Sequence, residues 1–288
     1  MAALLPIESK SAKGRLTYLI IIIVLCIGIP LQVFPYLWML SGMLKTNREI
    51  VRAVPSLIPD NFLWGNIPDT ISKFSLWDNF YNTMVLCFGT IAIQCTISVL
   101  AAYSLAKLKP KGSKYVLLFF VGTMMINEQA IAIPSYLMFQ NVMGTGVSLI
   151  NNFWSLLLAF SAWGWSIFLL KGFFDGLPSE LMEAARIDGA GALQMLGTIV
   201  LPLSQPVLAV VILNTFMAVY NQFLFPLILL PDSSKWTIMI RIFAAQKGAA
   251  TWRDTMVMLS FSTVPVLIVY FMAQKYIVQG ITMTGLKG

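Results

Sequence analysis

The sequence predicts an all-α membrane protein that crosses the bilayer six times. Of its 288 residues, 58% are hydrophobic and only 11% are charged. A soluble domain is typically about 45–50% hydrophobic and about 25% charged, so one core of this size cannot bury the apolar excess. Lipid must therefore solvate much of the chain, in helical segments of roughly 20 residues each.

Six apolar stretches have the length of a spanning helix. We place them at residues 16–43, 81–106, 115–139, 148–170, 206–230 and 255–273. The first follows a short basic leader, residues 1–15, and is too long for the core of a signal peptide, so it should remain as a membrane helix. Residues 16–288 are then predicted to form one transmembrane domain.

The lysine-rich loop 107–114 sets the predicted orientation. It contains Lys107, Lys109, Lys111 and Lys114 and no acidic residue. Short loops rich in lysine and arginine stay in the cytoplasm, and an even number of spans places both termini on one side. We therefore expect both termini and the polar segment 175–203 to be cytoplasmic, and loops 44–80 and 231–254 to be external.

Several functional classes are disfavoured by composition. The chain has no histidine, which excludes histidine proton relays, histidine metal ligands and Ser-His catalysis. Its three cysteines, Cys26, Cys87 and Cys95, lie in apolar runs typical of core residues. No G-x-x-x-x-G-K-[ST] phosphate loop is present. We expect no bound cofactor or metal, no nucleic acid partner and no enzymatic activity in this chain.

The polar segment contains a helix-turn-helix pattern. Pro178 suits a first helical turn, and acidic residues follow it near the positive end of the helix dipole. Gly189 and Gly191 are predicted to end this helix, because glycine adopts the left-handed cap conformation at low cost. The residues at helical spacing on one face form a shallow surface that a second protein could approach: Leu181, Ala184, Ala185 and Asp188. An amphipathic helix packed on its own bundle would show the same pattern.

A family resemblance favours the first interpretation. The run Glu183-Ala184-Ala185, followed by Gly189 and then Leu201-Pro202, resembles the EAA motif of binding-protein-dependent ABC importer permeases, at the family spacing. Further matches resemble the carbohydrate-type branch of that family: Asn82-Thr83, residues 101–106, Gly172-Phe173-Phe174, Asn221 with Pro226-Leu227, and the ending 274–288. The similarity covers roughly residues 16–288.

The resemblance implies a fold, a set of partners and a role for each motif residue. The fold would be that of a type I ABC importer permease in the plasma or inner membrane of a bacterium or archaeon. Its partners would be a second permease subunit, two ATP-binding subunits that use ATP and Mg, and an extracytoplasmic substrate-binding protein. The residues implied in coupling to the ATPase are Glu183, Ala184, Ala185, Asp188, Gly189, Leu201 and Pro202. The tail residues Gly285, Lys287 and Gly288 would also contact the ATPase.

The chain departs from the family pattern at two places. The third predicted span holds Asn127-Glu128-Gln129 in mid-helix, and an acidic side chain inside a membrane is costly and functional by default. Tyr220-Asn221-Gln222 stands where relatives often have Trp-Asn-Asp. We take Glu128, Asn127, Tyr220 and Asn221 as candidates for the translocation path. Glu128 could instead lie in a wet external cleft or pair with the partner permease.

Two alternatives concern the transported solute and the source of energy. The same kind of permease could carry a solute other than a sugar or oligosaccharide, such as glycerol phosphate. A stand-alone secondary transporter is a different class, which would show inverted repeats and charge relays within the membrane. The sequence has no clear repeat and only one carboxylate in mid-span, so we disfavour that class.

Overall fold

The computed structural model describes residues 12–248 and 250–285, and the side chains of residues 14–248 and 250–275. This part of the chain is helical and contains no strand. The α-helices are α1 Ala12–Gly42, α2 Asn47–Ile50, α3 Asn66–Lys73, α4 Leu76–Tyr103, α5 Ser113–Thr123, α6 Glu128–Gln140, α7 Phe153–Ala159, α8 Gly164–Asp175, α9 Ser179–Ile187, α10 Ala192–Met195, α11 Leu201–Leu203, α12 Gln205–Tyr220, α13 Leu224–Leu229, α14 Ile238–Lys247 and α15 Trp252–Gly285. A π-type turn, Ser104–Leu108, extends α4, and another, Leu196–Val200, joins α10 to α11.

The spanning segments are of two kinds. Among the described residues, three helices are long and apolar enough to cross a membrane unbroken, at residues 14–42, 76–108 and 252–275. Three further candidates are pairs of helical segments joined at a sharp bend. The bend angle is 102° between α5 and residues 128–144, 46° between α7 and α8, and 82° between residues 192–203 and α12. Counting each pair as one span gives the six that the sequence predicts. The fifth predicted span, 206–230, is itself interrupted, because α12 ends at Tyr220 and α13 begins at Leu224.

The predicted external loops contain helices that the sequence interpretation missed. Loop 44–80 holds α2 and α3, and loop 231–254 holds α14. α2 is closed by a capping box, in which Thr46 and Glu49 satisfy each other's backbone N–H groups. The backbone N–H of Asp60 also donates to Glu49, at 2.7 Å, and these hydrogen bonds hold the pKa of the Glu49 carboxyl below its ordinary value.

The chain divides into two compact units, and the described residues of the smaller one lie within 12–74 and 245–261. Its centre is Asp254, whose side chain is fully buried. This carboxylate accepts hydrogen bonds from Lys73 Nζ at 2.9 Å, Thr70 Oγ1 at 3.2 Å and Arg253 Nη2 at 3.3 Å. Buried charge is tolerated only when it is paired in this way, so Asp254 fixes α3 against the start of α15.

The larger unit, whose described residues are 75–244 and 262–285, is organised around α4. Gln94 is fully buried there and connects three spans. Its Nε2 donates to Ser166 Oγ of α8 at 2.6 Å, and its Oε1 accepts a hydrogen bond from Thr215 Oγ1 of α12. Polar side chains join membrane helices because the alternative is an unsatisfied group in an apolar medium.

Gly164, the first residue of α8, allows α8 to approach α5 closely. A Cβ atom at this position would lie only 2.2 Å from the backbone oxygen of Phe120. Gly172, two turns later on the same helix, has no atom within 4 Å of the corresponding point. The contact at Gly164 is therefore a local requirement for glycine, and Gly172 carries no such requirement.

We expect Gly164→Ala to lower the stability of the protein by about 1–3 kcal/mol, since backbone must move to admit the methyl group. Gly172→Ala is the control, and we expect it to be neutral or to stabilise α8 by up to about 1 kcal/mol. Thermal unfolding of the two purified variants in detergent measures both effects. Equal unfolding temperatures would contradict the close contact of α8 with α5.

Candidate functional site

The polar segment 175–203 is anchored to the spans through one face of α9. Met182 is buried and Ala185 is partly buried. Both pack against an apolar cluster whose buried members come from α4, α8, α12 and the run 192–203: Val99, Ala102, Tyr103, Ala106, Leu170, Phe174, Met195, Leu196, Val200, Val207 and Val211. Through this cluster α9 is packed against residues of three spans.

The opposite face of α9 is open. Glu183 and Ala184 are exposed, and Ile187 is 87% exposed. Leu193, on the next helix, is 73% exposed. The structure corrects the sequence prediction in one respect. Ala185 is partly buried against the apolar cluster, whereas Leu181, Ala184 and Asp188 are exposed. Large apolar side chains exposed beside acidic ones are typical of a surface that another protein covers.

α9 ends in a Schellman motif. Gly189 has φ +82°, the backbone N–H of Ala190 donates to Ala185 O at 2.9 Å, and that of Gly189 donates to Arg186 O at 3.0 Å. The predicted role of Gly189 as a left-handed cap is confirmed. The same prediction is wrong for Gly191, which has φ −73° and precedes the first residue of α10.

The motif continues into the fifth span through a sharp bend. The run 192–203 contains half-buried Leu201 and exposed Pro202, and it meets α12 at 82°. A cavity of about 280 Å³ lies beneath α9. It is lined by residues of α9 and of the span ends: Tyr103, Ala106, Lys107, Lys109, Asp175, Leu177, Ser179, Met182, Glu183, Arg186 and Met195.

The candidate path residues lie at breaks in the spans. We define the helix breaks as residues 124–127, 160–163 and 221–223. The prediction that Asn127 and Glu128 lie in mid-helix is wrong, because Glu128 is the first residue of α6. Asn127 is the N-cap, and its Oδ1 accepts from the backbone N–H of Gln129 at 3.0 Å. A side-chain cap of this kind satisfies a backbone group that the break would otherwise leave unpaired.

Tyr220 does not line an open path. Its side chain is 1% exposed, its ring stacks on Phe216 with centroids 5.5 Å apart, and its hydroxyl donates to Ser262 O at 2.6 Å. The inclusion of Tyr220 among the candidates is therefore wrong, because packing holds it inside the larger unit. Asn221 is exposed, but its Nδ2 donates to Met217 O at 2.8 Å at the end of α12.

Two of the breaks meet at an exposed carboxylate. Gln222 Nε2 donates to Glu128 Oε2 at 3.2 Å, which joins the start of α6 to the break between α12 and α13. The third break is close by, since Phe160 contacts Phe225 of α13 with ring centroids 5.4 Å apart. Gln222 was not among the predicted path residues. The sequence marked Gln222 only as a departure from the family pattern, and its separation of 94 positions from Glu128 gave no indication that the two side chains meet.

The remaining sequence predictions concern the C-terminal tail and metal binding. Lys287 and Gly288 lie outside the described residues, and Gly285 is the last residue of α15. Within residues 12–248 and 250–285, no three histidine, cysteine, aspartate or glutamate side chains are grouped to hold a metal ion.

Comparison with known proteins gives consistent matches along most of the chain. The family model described as binding-protein-dependent transport system inner membrane component matches residues 94–283. The sn-glycerol-3-phosphate transport system permease protein UgpE of Yersinia pestis bv. Antiqua (strain Antiqua) is 31% identical over 271 residues, covering 90% of this chain and 94% of the relative. The trehalose/maltose transport system permease protein MalG of Thermococcus litoralis is 31% identical over 261 residues, covering 88% and 91%.

The fold also matches a solved structure. That structure is of a bacterial ABC transporter involved in the import of the acidic polysaccharide alginate. The similarity has a TM-score of 0.81 and covers 93% of this chain and 98% of the other, at 22% sequence identity. At this identity the match establishes the common fold.

Proposed function

The chain belongs to the family of binding-protein-dependent transport system inner membrane components, and from that premise we propose that α9 couples it to an ATPase. The observation that carries this proposal is the two-sided environment of α9. One face is held by the apolar cluster, and the other presents Glu183, Ala184 and Ile187 to solvent. A helix with one exposed face and one face packed against the spans can bind a partner and transmit the partner's movement to the spans.

The proposed transmission is a rigid-body movement. ATP-driven closure of two ATP-binding subunits would carry α9 with them, and Met182 would transfer the displacement to the ends of α4, α8 and α12. The Schellman cap at Gly189 stabilises the end of α9, so the helix would move as one unit without unwinding at its C-terminus. The remaining motif residues, Asp188, Leu201 and Pro202, belong to the same unit of movement. Both termini and this segment would be cytoplasmic.

The proposed assembly contains this chain, a second permease subunit, two ATP-binding subunits and an extracytoplasmic substrate-binding protein. ATP and Mg act on the ATP-binding subunits, and this chain supplies no nucleotide chemistry. A contact between the ATPase and the tail at Gly285, Lys287 and Gly288 remains part of the proposal. Its support is the family resemblance of residues 274–288.

We expect Glu183→Lys to reduce co-purification of the ATP-binding subunit about tenfold or more, because it reverses a charge in the centre of the open face. Asp69→Lys makes the same change at an exposed position in the first turn of α3, in the segment predicted to be external, and serves as the control. Pull-down of the assembled transporter measures the loss. Equal retention of the ATPase by both variants would contradict the assignment of α9.

The proposed substrate is a sugar or oligosaccharide. The relatives include proteins named for trehalose/maltose and for sn-glycerol-3-phosphate transport, so both chemical classes are candidates. The position of Glu128 favours a neutral sugar over glycerol phosphate. Its carboxylate is exposed at the junction of two helix breaks. A carboxylate accepts hydrogen bonds from sugar hydroxyls, whereas it repels the phosphate of glycerol phosphate.

The substrate class can be tested with the transporter reconstituted in vesicles with its binding protein. We expect ATP-dependent uptake of a neutral di- or oligosaccharide and no competition by sn-glycerol 3-phosphate. Uptake of glycerol phosphate would establish the second candidate. Uptake by this chain alone, driven by an ion gradient, would overturn the family-based mechanism altogether.

We further propose that Glu128 lines the translocation path, with Gln222 as the side chain that orients it. Asn127 and Asn221 then shape the path by capping helices. This arrangement explains why an acidic residue is tolerated here, because it stands at a helix N-terminus where the dipole favours negative charge.

We expect Glu128→Gln to lower sugar uptake about tenfold, because a hydrogen bond to a charged group contributes about 1.5–3 kcal/mol. Gln222→Ala removes the orienting partner and keeps the carboxylate, so its effect should be smaller. Initial rates in reconstituted vesicles, normalised to assembled transporter, compare the two. Sugar uptake that is unchanged in Glu128→Gln would contradict this role.

A further inference from the structure

A second cavity lies at the lysine-rich turn that follows α4. It measures about 410 Å³ and is separate from the path and from the open face of α9. Its lining comes from the turn, from the start of α5 and from the end of α8: Leu105, Lys109, Ser113, Lys114, Leu117, Lys171 and Asp175. The lining thus combines three lysines and one carboxylate with two leucines.

The lining carries an excess of positive charge. Lys171 pairs with Asp175, with the Nζ and Oδ2 atoms 2.5 Å apart, so the one acid in the lining is already engaged. Lys109 and Lys114 form no ion pair with any residue that the structure describes. Two ammonium groups therefore border a concave surface without a counter-ion from the protein, which is an electrostatic arrangement suited to an anion.

The backbone holds these lysines in place. Lys109 itself adopts a left-handed conformation, with φ +47°, and its N–H donates to Ser104 O at 2.9 Å. Gly112 has φ +87° and precedes the first residue of α5. A lysine in the left-handed region is strained by its Cβ atom, so the fixed turn places the Lys109 side chain at an energetic cost.

The surface next to the cavity is apolar. Along the first two turns of α5, Tyr115 is 76% exposed, Leu118 is 65% exposed and Phe119 is 69% exposed. These residues belong to a candidate span and recur at helical spacing, so they form one continuous face. A positively charged cavity therefore opens at the end of an exposed apolar stripe on a candidate span.

We propose that this cavity binds the phosphate group of an anionic phospholipid, with the acyl chains lying along the α5 stripe. Basic pockets between spanning helices on the cytoplasmic side are suited to anionic headgroups, and the lysine-rich loop is predicted to lie on that side. The stripe is the reason for choosing a lipid over free phosphate, since a soluble anion would use the lysines and leave the apolar face uncovered.

Lipid occupancy has a consequence for coupling. Lys109 and Asp175 line both this cavity and the 280 Å³ cavity beneath α9. A headgroup that attracts Lys109 changes the charge beneath the coupling helix. This consequence rests on the proposed role of α9, whereas the binding site itself does not.

The binding test uses the full chain in detergent, with phosphatidylglycerol and phosphatidylcholine added in parallel, and counts retained lipids by native mass spectrometry. We expect phosphatidylglycerol to be retained in preference. Lys114→Gln should weaken that retention about fivefold, because one basic residue near an anionic headgroup contributes about 1 kcal/mol. Lys114→Arg keeps the charge and should keep the binding.

Lys111→Gln is the matched control. It removes one exposed lysine from the same loop, outside the cavity lining, and should leave retention unchanged. Equal loss in Lys111→Gln and Lys114→Gln would overturn the site, because it would reflect general attraction to a basic loop. Absence of a preference for phosphatidylglycerol, with displacement of bound lipid by millimolar inorganic phosphate, would identify a soluble-anion site and overturn the lipid assignment.

Discussion

Backbone hydrogen bonding in an apolar medium is the constraint from which the rest of this structure follows. Lipid offers no partner to a free N–H or C=O group, so a spanning chain must be helical or must satisfy the freed groups locally. At the helix breaks, side chains supply these partners. Asn127 caps α6, and Gln222 Oε1 accepts from the N–H of Phe223 at 3.1 Å. The polar residues of the spans are first of all the means by which broken helices remain stable.

This constraint separates the residues whose side chains stabilise the helix breaks from those that remain available for other contacts. Asn127 and Asn221 are occupied by backbone groups, and Tyr220 is packed inside the larger unit. Glu128 is exposed, and its partner Gln222 is a neutral side chain. The structure argues against Tyr220 as a path residue, and Glu128 with Gln222 beside it is the pair that we propose for the path.

The sequence predicts the number of spanning segments and the helix-turn-helix at α9, because both depend on local patterns of apolar, acidic and glycine residues. It does not predict the bends within spans. Asn127 has no proline or glycine beside it, and apolar periodicity continues on both sides of the break. The misplacement of Ala185 has a similar cause, since helical spacing defines a face without saying which neighbour covers it. Contacts such as Gln222 with Glu128 depend on tertiary packing and leave no local trace.

The buried contacts of Gln94 restrict the number of residues in α4 more strictly than the identity of its apolar residues. One inserted residue turns everything beyond it by about 100° around the helix axis, because an α-helix has 3.6 residues per turn. Such a turn would carry Gln94 away from Ser166 and Thr215 together, or carry the apolar cluster residues Val99 and Tyr103 away from α8. Apolar positions of α4 can change identity while a suitable volume is kept. Insertions and deletions should instead be confined to the loops, so that relatives align through this helix without gaps.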